Sequence, residues 1–292
     1  MKKSYITNLV LLLLIFGLYW FINQESEVIT TGNLISSLPV KQANTIRIQR
    51  HNRDDIVIHK ENEQWIIKQP IQAPANKVRI NLILNLLTVA SHSQFKPNPS
   101  QSLQQFDLEP TKVRLYINDH SFDFGNIEPL SKYRYIHHNA TIYLVDDTIA
   151  PLLNANAASF INNRLFSGDQ HISKLTLPAL IHQDSHSLAT TIKLKESHWT
   201  SSNTELSTDA LTTLIENWKN AYAMQVLPIT SKEIQRSIGQ TIAIEFNNHS
   251  SINLLLQFDS RSLSLINPET HLKYQFPLPT AQQLFPIQDT IE

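Results

Sequence analysis

Beyond a polar stretch that ends near Val40, the chain runs through one order of elements twice, and a duplicated unit fixes an architecture before any single element is assigned. In the first pass Ile46 and Ile48 alternate with polar residues, Ile56 and Ile58 do the same, and Trp65 leads into Ile66 and Ile67, which reads as three strands. Val78, Leu82, Ile83, Leu86, Val89 and Ala90 then recur at steps of three and four, a helical stripe with Asn76 placed to cap it. A short turn over residues 103–106 precedes alternating strands through Val113 and Ile117, Phe122 and Phe124, Tyr133 and Tyr135, and Ile142 and Leu144, and a short helix near 148–153 closes the unit. The second pass opens at Leu175 and Leu177, and Ile192 and Leu194 lead to Trp199. Ser207 caps a helix striped by Leu211, Leu214, Ile215, Trp218, Ala221 and Tyr222. A turn over 232–238, strands over 242–246, 252–258, 263–266 and 273–276, and a short helix over 281–285 complete it.

Two pairs of positions tie the passes together. Trp65 and Trp199 stand at the same place relative to the main helix, which predicts core residues supporting that helix. The short turn ends in Phe106-Asp107 in one pass and Ile238-Gly239 in the other, residue types that enter the left-handed backbone region, so both are expected at positive φ. Ser167, Gly168 and Asp169 form the polar break between the units.

At the other end of the chain, an apolar run over residues 9–22 follows Lys2 and Lys3 and ends in Tyr19, Trp20 and Phe21. Counted from Tyr5 it reaches the roughly 17 to 25 residues that a bilayer core needs. Aromatic residues at its end suit a membrane interface, and no small-residue cleavage motif follows. Both positive charges precede the span, so the positive-inside rule leaves the tip in the cytoplasm and sends the rest across. The expected organisation is a cytoplasmic tip and anchor over 1–24, a tether over 25–40, a first lobe over 41–166 and a second over 167–292. The expected fold class is α+β, an N-terminal transmembrane helix followed by two repeated lobes, each a curved antiparallel sheet packed by one main helix.

Composition removes several function classes. Cysteine is absent, which excludes disulfides, thiolate metal sites and a lipoprotein anchor. A net charge of -1 offers no basic field for nucleic acid. The 5 glycines in 292 residues are far apart, so no phosphate-cradling loop forms and nucleotide binding is not expected.

Phe106-Asp107-Leu108-Glu109-Pro110, then Val113 to Ile117, Gly125-Asn126, Tyr133 to Ile136, Ile142-Tyr143-Leu144-Val145-Asp146 and Phe160 to Leu165 carry a resemblance. Over residues 46–165, and more weakly beyond, the chain resembles the domain of unknown function 4340 family. The resemblance implies an N-terminal membrane anchor followed by an exported, repeat-built domain. It also implies an association with a gliding-motility-type ABC transporter, beside whose auxiliary proteins some members are encoded. The family often has glycine in the turn where this chain has Asp107, and its motifs carry no active site across.

Among residues that can do chemistry, His182, Asp184 and His186 are the candidate metal ligands, because alternate residues of an extended strand project from one face. The segment also reads as a polar hairpin loop, and no metal or cofactor is assigned to it. His137 and His138 read either as a pH-sensitive contact or, the preferred reading, as solvated turn residues. Asp54-Asp55 and Asp146-Asp147 invite an acid–base reading, but adjacent carboxylates seldom converge on one atom, and helix capping accounts better for the second pair. No nucleophile elbow, S-x-x-K, H-E-x-x-H or EF-hand spacing occurs. The expected protein is a non-enzymatic interaction or scaffold component of an envelope assembly, or of a transporter-associated one as the resemblance implies, with no catalytic residue assigned. The alternative is an exported hydrolase or ligand-binding protein acting on envelope glycan.

Overall fold

A computed structural model describes residues 12–13, 33–97, 102–166, 170–182, 185–237, 239–259, 261–285 and 288–289. The anchor expected over 1–24 lies outside the described residues except for Leu12 and Leu13, and among the described residues no helix is long and apolar enough to cross a membrane.

The first lobe is a nine-stranded antiparallel sheet. Its strands are β1 (Thr45–Arg50), β2 (Arg53–Glu61), β3 (Gln64–Gln69), β4 (Ala73–Pro74), β5 (Ser93–Phe95), β6 (Val113–Ile117), β7 (His120–Ile127), β8 (Arg134–His138) and β9 (Thr141–Val145), in the order β4-β3-β2-β1-β6-β7-β8-β9-β5. Alternation decides which face is covered: Ile46, Ile48, Ile56, Ile58, Leu115, Ile117 and Phe122 all point inward and are fully buried. Helix α1 (Lys77–Leu84) crosses from β4 toward β5 and continues as a 3-10 turn, Asn85–Thr88. Asn76 caps it as its position predicts, its side chain accepting from the Val78 and Arg79 amides. Helix α2 (Ala150–Leu153) follows β9.

The second lobe has β10 (Ile172–Leu177), β13 (Thr190–Lys195), β14 (His198–Ser201), β15 (Gln225–Pro228), β16 (Gln240–Phe246), β17 (Ser251–Phe258), β18 (Ser262–Asn267) and β19 (Leu272–Pro277). Between β10 and β13 the chain makes a hairpin of β11 (Leu180–His182) and β12 (Ser185–Ser187), which pairs with β20 (Gln288–Asp289) as a small separate sheet. Helix α3 (Thr208–Lys219) is capped by Ser207, helix α4 (Ser231–Arg236) starts with a capping box between Thr230 and Glu233, and α5 (Leu278–Gln283) follows β19.

The large sheet runs β14-β13-β10-β16-β17-β18-β19-β15, which is the first lobe's order with only β4 left over. Register agrees with order. Ile58 lies opposite Ile46 and Trp65 opposite Lys60 in the first lobe; Ile192 lies opposite Leu175 and Trp199 opposite Leu194 in the second. Each tryptophan is therefore reached by the same count from an equivalent core isoleucine, and each packs partly buried against the core. Tyr143 beside Ile136 and Tyr274 beside Leu265 match in the same way.

Four expectations are corrected. The segment from Asn33 is not a free tether: Leu34 pairs with Ala90, the Ile35 amide donates to the Val89 carbonyl, and Ile35 and Ser36 are buried. Asp107 has the predicted left-handed backbone at φ 57, but Gly239 does not have positive φ. The residue that ends α4 is Ser237, and the chain reaches β16 over 237–239 where the first lobe takes 107–112 to reach β6. Gly239 is needed for a different reason, since a Cβ there would collide with the Leu256 carbonyl. Tyr222, expected on the buried stripe of α3, lies beyond the helix and is half exposed, whereas Leu211, Leu214, Ile215 and Trp218 are buried as the spacing predicts. Finally, the break expected at Ser167, Gly168 and Asp169 lies outside the described residues, and the lobes are already joined just before it. Residues 160–166 form a strap in which Phe160, Ile161, Leu165 and Phe166 are buried within one core common to both lobes. Ile161 pairs with Ala75 on the first lobe, Arg164 pairs with Tyr222 on the second, the Leu165 amide donates to the Ala221 carbonyl, and Phe166 meets Phe246 edge-on.

Candidate functional site

The β6–β7 hairpin places Arg114 opposite Asp123, and the β7–β8 pairing places Asp123 opposite His137, so the three form a row across the sheet. The row occupies the face away from Phe122, Phe124 and Ile136, whose burial fixes which side chains point outward. Arg114 grips both carboxylate oxygens of Asp123, with Nε on Oδ1 and Nη2 3.0 Å from Oδ2. His137 Nδ1 stands 3.6 Å from Oδ2, too far for a good hydrogen bond but close enough to add charge when protonated. Hydrogen bonding to Asp123, and next to Tyr116, holds the Arg114 guanidinium pKa well above its usual range. Tyr116 is in turn covered by Arg47, whose guanidinium carbon lies 4.0 Å from the ring centre.

The row floors a groove of about 640 Å³. One wall is the end of β1, with Arg50 and His51. The other is the crossing segment that enters β6, with Glu109 and Lys112. That segment is pinned at both ends: the His51 amide donates to the Lys112 carbonyl, and Lys112 pairs with Asp107 at 2.6 Å. Arg50 is 8 % exposed and ties β1 to distant backbone, donating from Nη2 to the Asp54 carbonyl at 2.8 Å and from Nη1 to the Ala155 carbonyl. Burial lowers its pKa, with the neighbouring Arg53 acting in the same sense. The Thr111 hydroxyl donates to the Leu108 carbonyl at 2.8 Å. The arrangement is a cation-rich cleft with an internally neutralised carboxylate, able to hold an anionic or hydrogen-bonding group.

The second lobe provides the comparison that gives this cleft meaning. In the same register, the row reads Thr241, Leu255 and Ile266. One strand plan therefore carries an ion pair at this place in one lobe and an uncharged row, exposed at Thr241 and buried at Ile266, in the other, so the charges are not a requirement of the fold.

Residues singled out from sequence fall as follows. The hairpin register pairs His182 with Ser185 and His186 with Ile181, so the backbone reverses between the two histidines. Asp184 and the side chains of this hairpin lie outside the described residues, and among the described residues no group of three potential ligands comes together. His138 is not a solvated turn residue. It is 3 % exposed, stacks on Phe122 with ring centres 4.4 Å apart, and is held by the Ser121 carbonyl at 2.7 Å from Nδ1. Asp54 and Asp55 sit within β2. Asp147 is not a helix cap either: α2 has no side-chain cap, and Asp147 instead accepts from Arg134 at 2.7 Å while Arg134 also reaches the Gly125 carbonyl. Arg50, Lys112, Arg114 and Asp123 were not singled out by sequence. For Arg114 and Asp123 alone a signal existed, since a turn near Asn118 puts residues 114 and 123 face to face, but nothing local joins them to His137, Arg50 or Lys112.

Fold and cleft together define a two-lobed, mostly antiparallel α+β protein with a repeat-like plan and a polar cleft on one lobe. A family model described as a domain of unknown function, DUF4340, matches residues 65–237, more than half of the chain. The chain belongs to that family, and the match runs from Trp65 through the strap to the end of α4, so it takes in parts of both lobes. No curated protein and no solved structure matches it.

Proposed function

We propose that this is a single-pass inner-membrane protein whose two lobes stand on the periplasmic side as a non-enzymatic interaction or scaffold component of an envelope assembly. The observation that carries the reading is the contrast between the lobes, which share strand order and register yet differ at Arg114, Asp123 and His137 against Thr241, Leu255 and Ile266. A charged surface added to one copy of a shared frame fits recognition of a partner. The matched order and matched tryptophans support an internal duplication as its origin. Lys2, Lys3 and the apolar run over 9–22 support the anchor and its orientation. Involvement with an ABC transporter rests on the family resemblance alone. The runner-up, a ligand-binding protein or hydrolase acting on envelope glycan, has the polar lining of the same groove in its favour.

The test uses the full chain in native membranes. A photo-crosslinking residue at Gln49, on the groove rim, should give one discrete protein adduct, lost on Lys112→Glu, while the same residue at Asn248 in the β16–β17 turn of the other lobe should not. Absence of an adduct at the groove, together with release of soluble glycan fragments by the purified chain, would replace the scaffold reading with the runner-up.

A further inference from the structure

Helix α1 turns Val78 and Leu82, which the spacing places on its apolar stripe, outward beside the exposed Asn81 and Asn85. At 100° per residue, Val78 and Leu82 fall opposite the buried Ile80, Ile83 and Leu84, where a surface helix ordinarily carries polar residues, yet they are 68 % and 47 % exposed. The helix leads into the 3-10 turn Asn85–Thr88 and then to Val89 and Ala90, where the chain coming from the N-terminus is fixed through Leu34 and Ile35. Leu34 is 55 % exposed, and a second short turn, Val40–Gln42, lies against the turn that ends α1 and exposes Val40 and Lys41. Isolated exposed apolar side chains are ordinary. Four of them gathered on the elements around one point of chain entry are not.

Charge singles out the same region. No aspartate or glutamate occurs in residues 33–53 or in residues 64–106, the stretches that build it, although the whole chain has 25 acids against 24 lysines and arginines. Lys41 and Lys77 are exposed there and Arg79 is half-buried. Distance adds a third argument. Residues 25–32, even fully extended, cannot reach beyond about 30 Å, so an anchor ending near residue 24 keeps this end of the first lobe close to the bilayer.

We infer that the outward side of α1, with Leu34, Val40, Lys41 and Lys77, docks on the surface of an anionic phospholipid bilayer. Val78 and Leu82 enter the boundary between headgroups and acyl chains while the lysines reach the phosphates, as amphipathic surface elements do. The lobe is then held against the membrane in one orientation rather than swinging on its tether. The inference rests on the proposed anchor for its geometry, and its test separates the two.

Because the chain has no cysteine, Leu82→Cys and Val78→Cys each give one labelling site for an environment-sensitive fluorophore. Leu130→Cys, in the β7–β8 turn and 91 % exposed, gives a control. The full chain is reconstituted into vesicles of phosphatidylcholine alone or mixed with phosphatidylglycerol. Labels at 78 and 82 should shift to the blue and be quenched by lipid-borne quenchers only in the mixed vesicles, reverting in high salt because the Debye length falls from about 8 Å. The label at 130 should not respond, and Lys41→Gln with Lys77→Gln should remove the response at 82. No response at 78 and 82, or an equal response in both lipids, overturns the docking. A chain that resists alkaline extraction but shows no response keeps its anchor and loses the docking face. A chain that alkali releases, yet whose labels respond to added mixed vesicles, loses the anchor and keeps the docking face.

Discussion

His138 should make the stability of the first lobe depend on pH. Its Nδ1 faces the Ser121 carbonyl, which can only accept, so Nδ1 carries the proton and donates. Nε2 then accepts from the Asn139 side-chain amide at 3.0 Å. The neutral ring satisfies both contacts, whereas the protonated ring would turn a donor toward that amide and place a charge against Phe122. Burial pulls the folded-state pKa below 6.5, and the nearby His120 and His137 push the same way, more than offsetting the Ser121 hydrogen bond. As pH falls through about 6.5 the unfolded chain takes up a proton that the folded chain refuses. The unfolded state therefore binds more protons in that window. Stability is full above about pH 6.5 and is lost as pH falls toward the folded value, with a ceiling near 1.4 kcal/mol per pH unit. Urea unfolding of the full chain in mild detergent, at pH 7.5, 6.5 and 5.5 and constant ionic strength, measures this against His138→Phe, which keeps the stack on Phe122 and cannot titrate. The difference in stability should move against the wild type between the highest and lowest pH, by at most about 1.4 kcal/mol because only one pH unit of that range lies below 6.5. A difference that stays constant would show that the ring is protonated alike in both states and that the burial argument is wrong.

Trp218→Phe should cost about 1–3 kcal/mol through the stranded Leu284 carbonyl, which takes the indole N–H at 2.6 Å in a fully buried site, before any loss of packing against Phe285. A shift in the urea midpoint with unchanged slope would show it, and an unmoved midpoint would mean that the carbonyl finds another donor. Gly125→Ala should cost about 1–3 kcal/mol, because the added methyl meets the Phe106 carbonyl and the Leu108 side chain, both held by the left-handed turn at Asp107. Its effect should include loosening of the groove wall, read as faster amide exchange at Lys112, and protection equal to wild type there would contradict the contact.

What could be read from the sequence was what local chemistry dictates. Asn76 and Ser207 declare helix starts because a cap needs only its own side chain and the next turn, and both caps form. The paired tryptophans could be matched because each stands at a fixed count from an alternating isoleucine. His138 was misplaced because the alternation of this strand is read through Tyr133 and Tyr135, whereas Ile136 is the buried residue and His138, two residues on, shares its inward face. The short strands β4 and β5 escaped because they carry too few residues to show a period, and are defined by what they pair with. The equivalence drawn between Asp107 and Gly239 failed because the two connections differ in length, so similar residue types near a strand do not mark the same point. The groove was missed for a related reason. Arg114, Asp123 and His137 meet across three strands, and Arg50 is held by a carbonyl at residue 155, which no local pattern announces.

The strap over residues 160–166 changes what the two lobes can be to a partner. Phe160 accepts from the Asn76 amide, the Asn162 amide donates to the Pro74 carbonyl, and the Asn163 side chain donates to the Ala223 carbonyl at 2.9 Å, so the same few residues are hydrogen-bonded into both halves. Two modules on a flexible linker must lose relative freedom each time they bind one target together. Here that freedom is already gone when the chain has folded, and the placement of the charged row of the first lobe relative to the second lobe belongs to the core. A target touching both lobes would meet a single preset surface, and a substitution in the strap would weaken the grip on that target without altering any residue it touches.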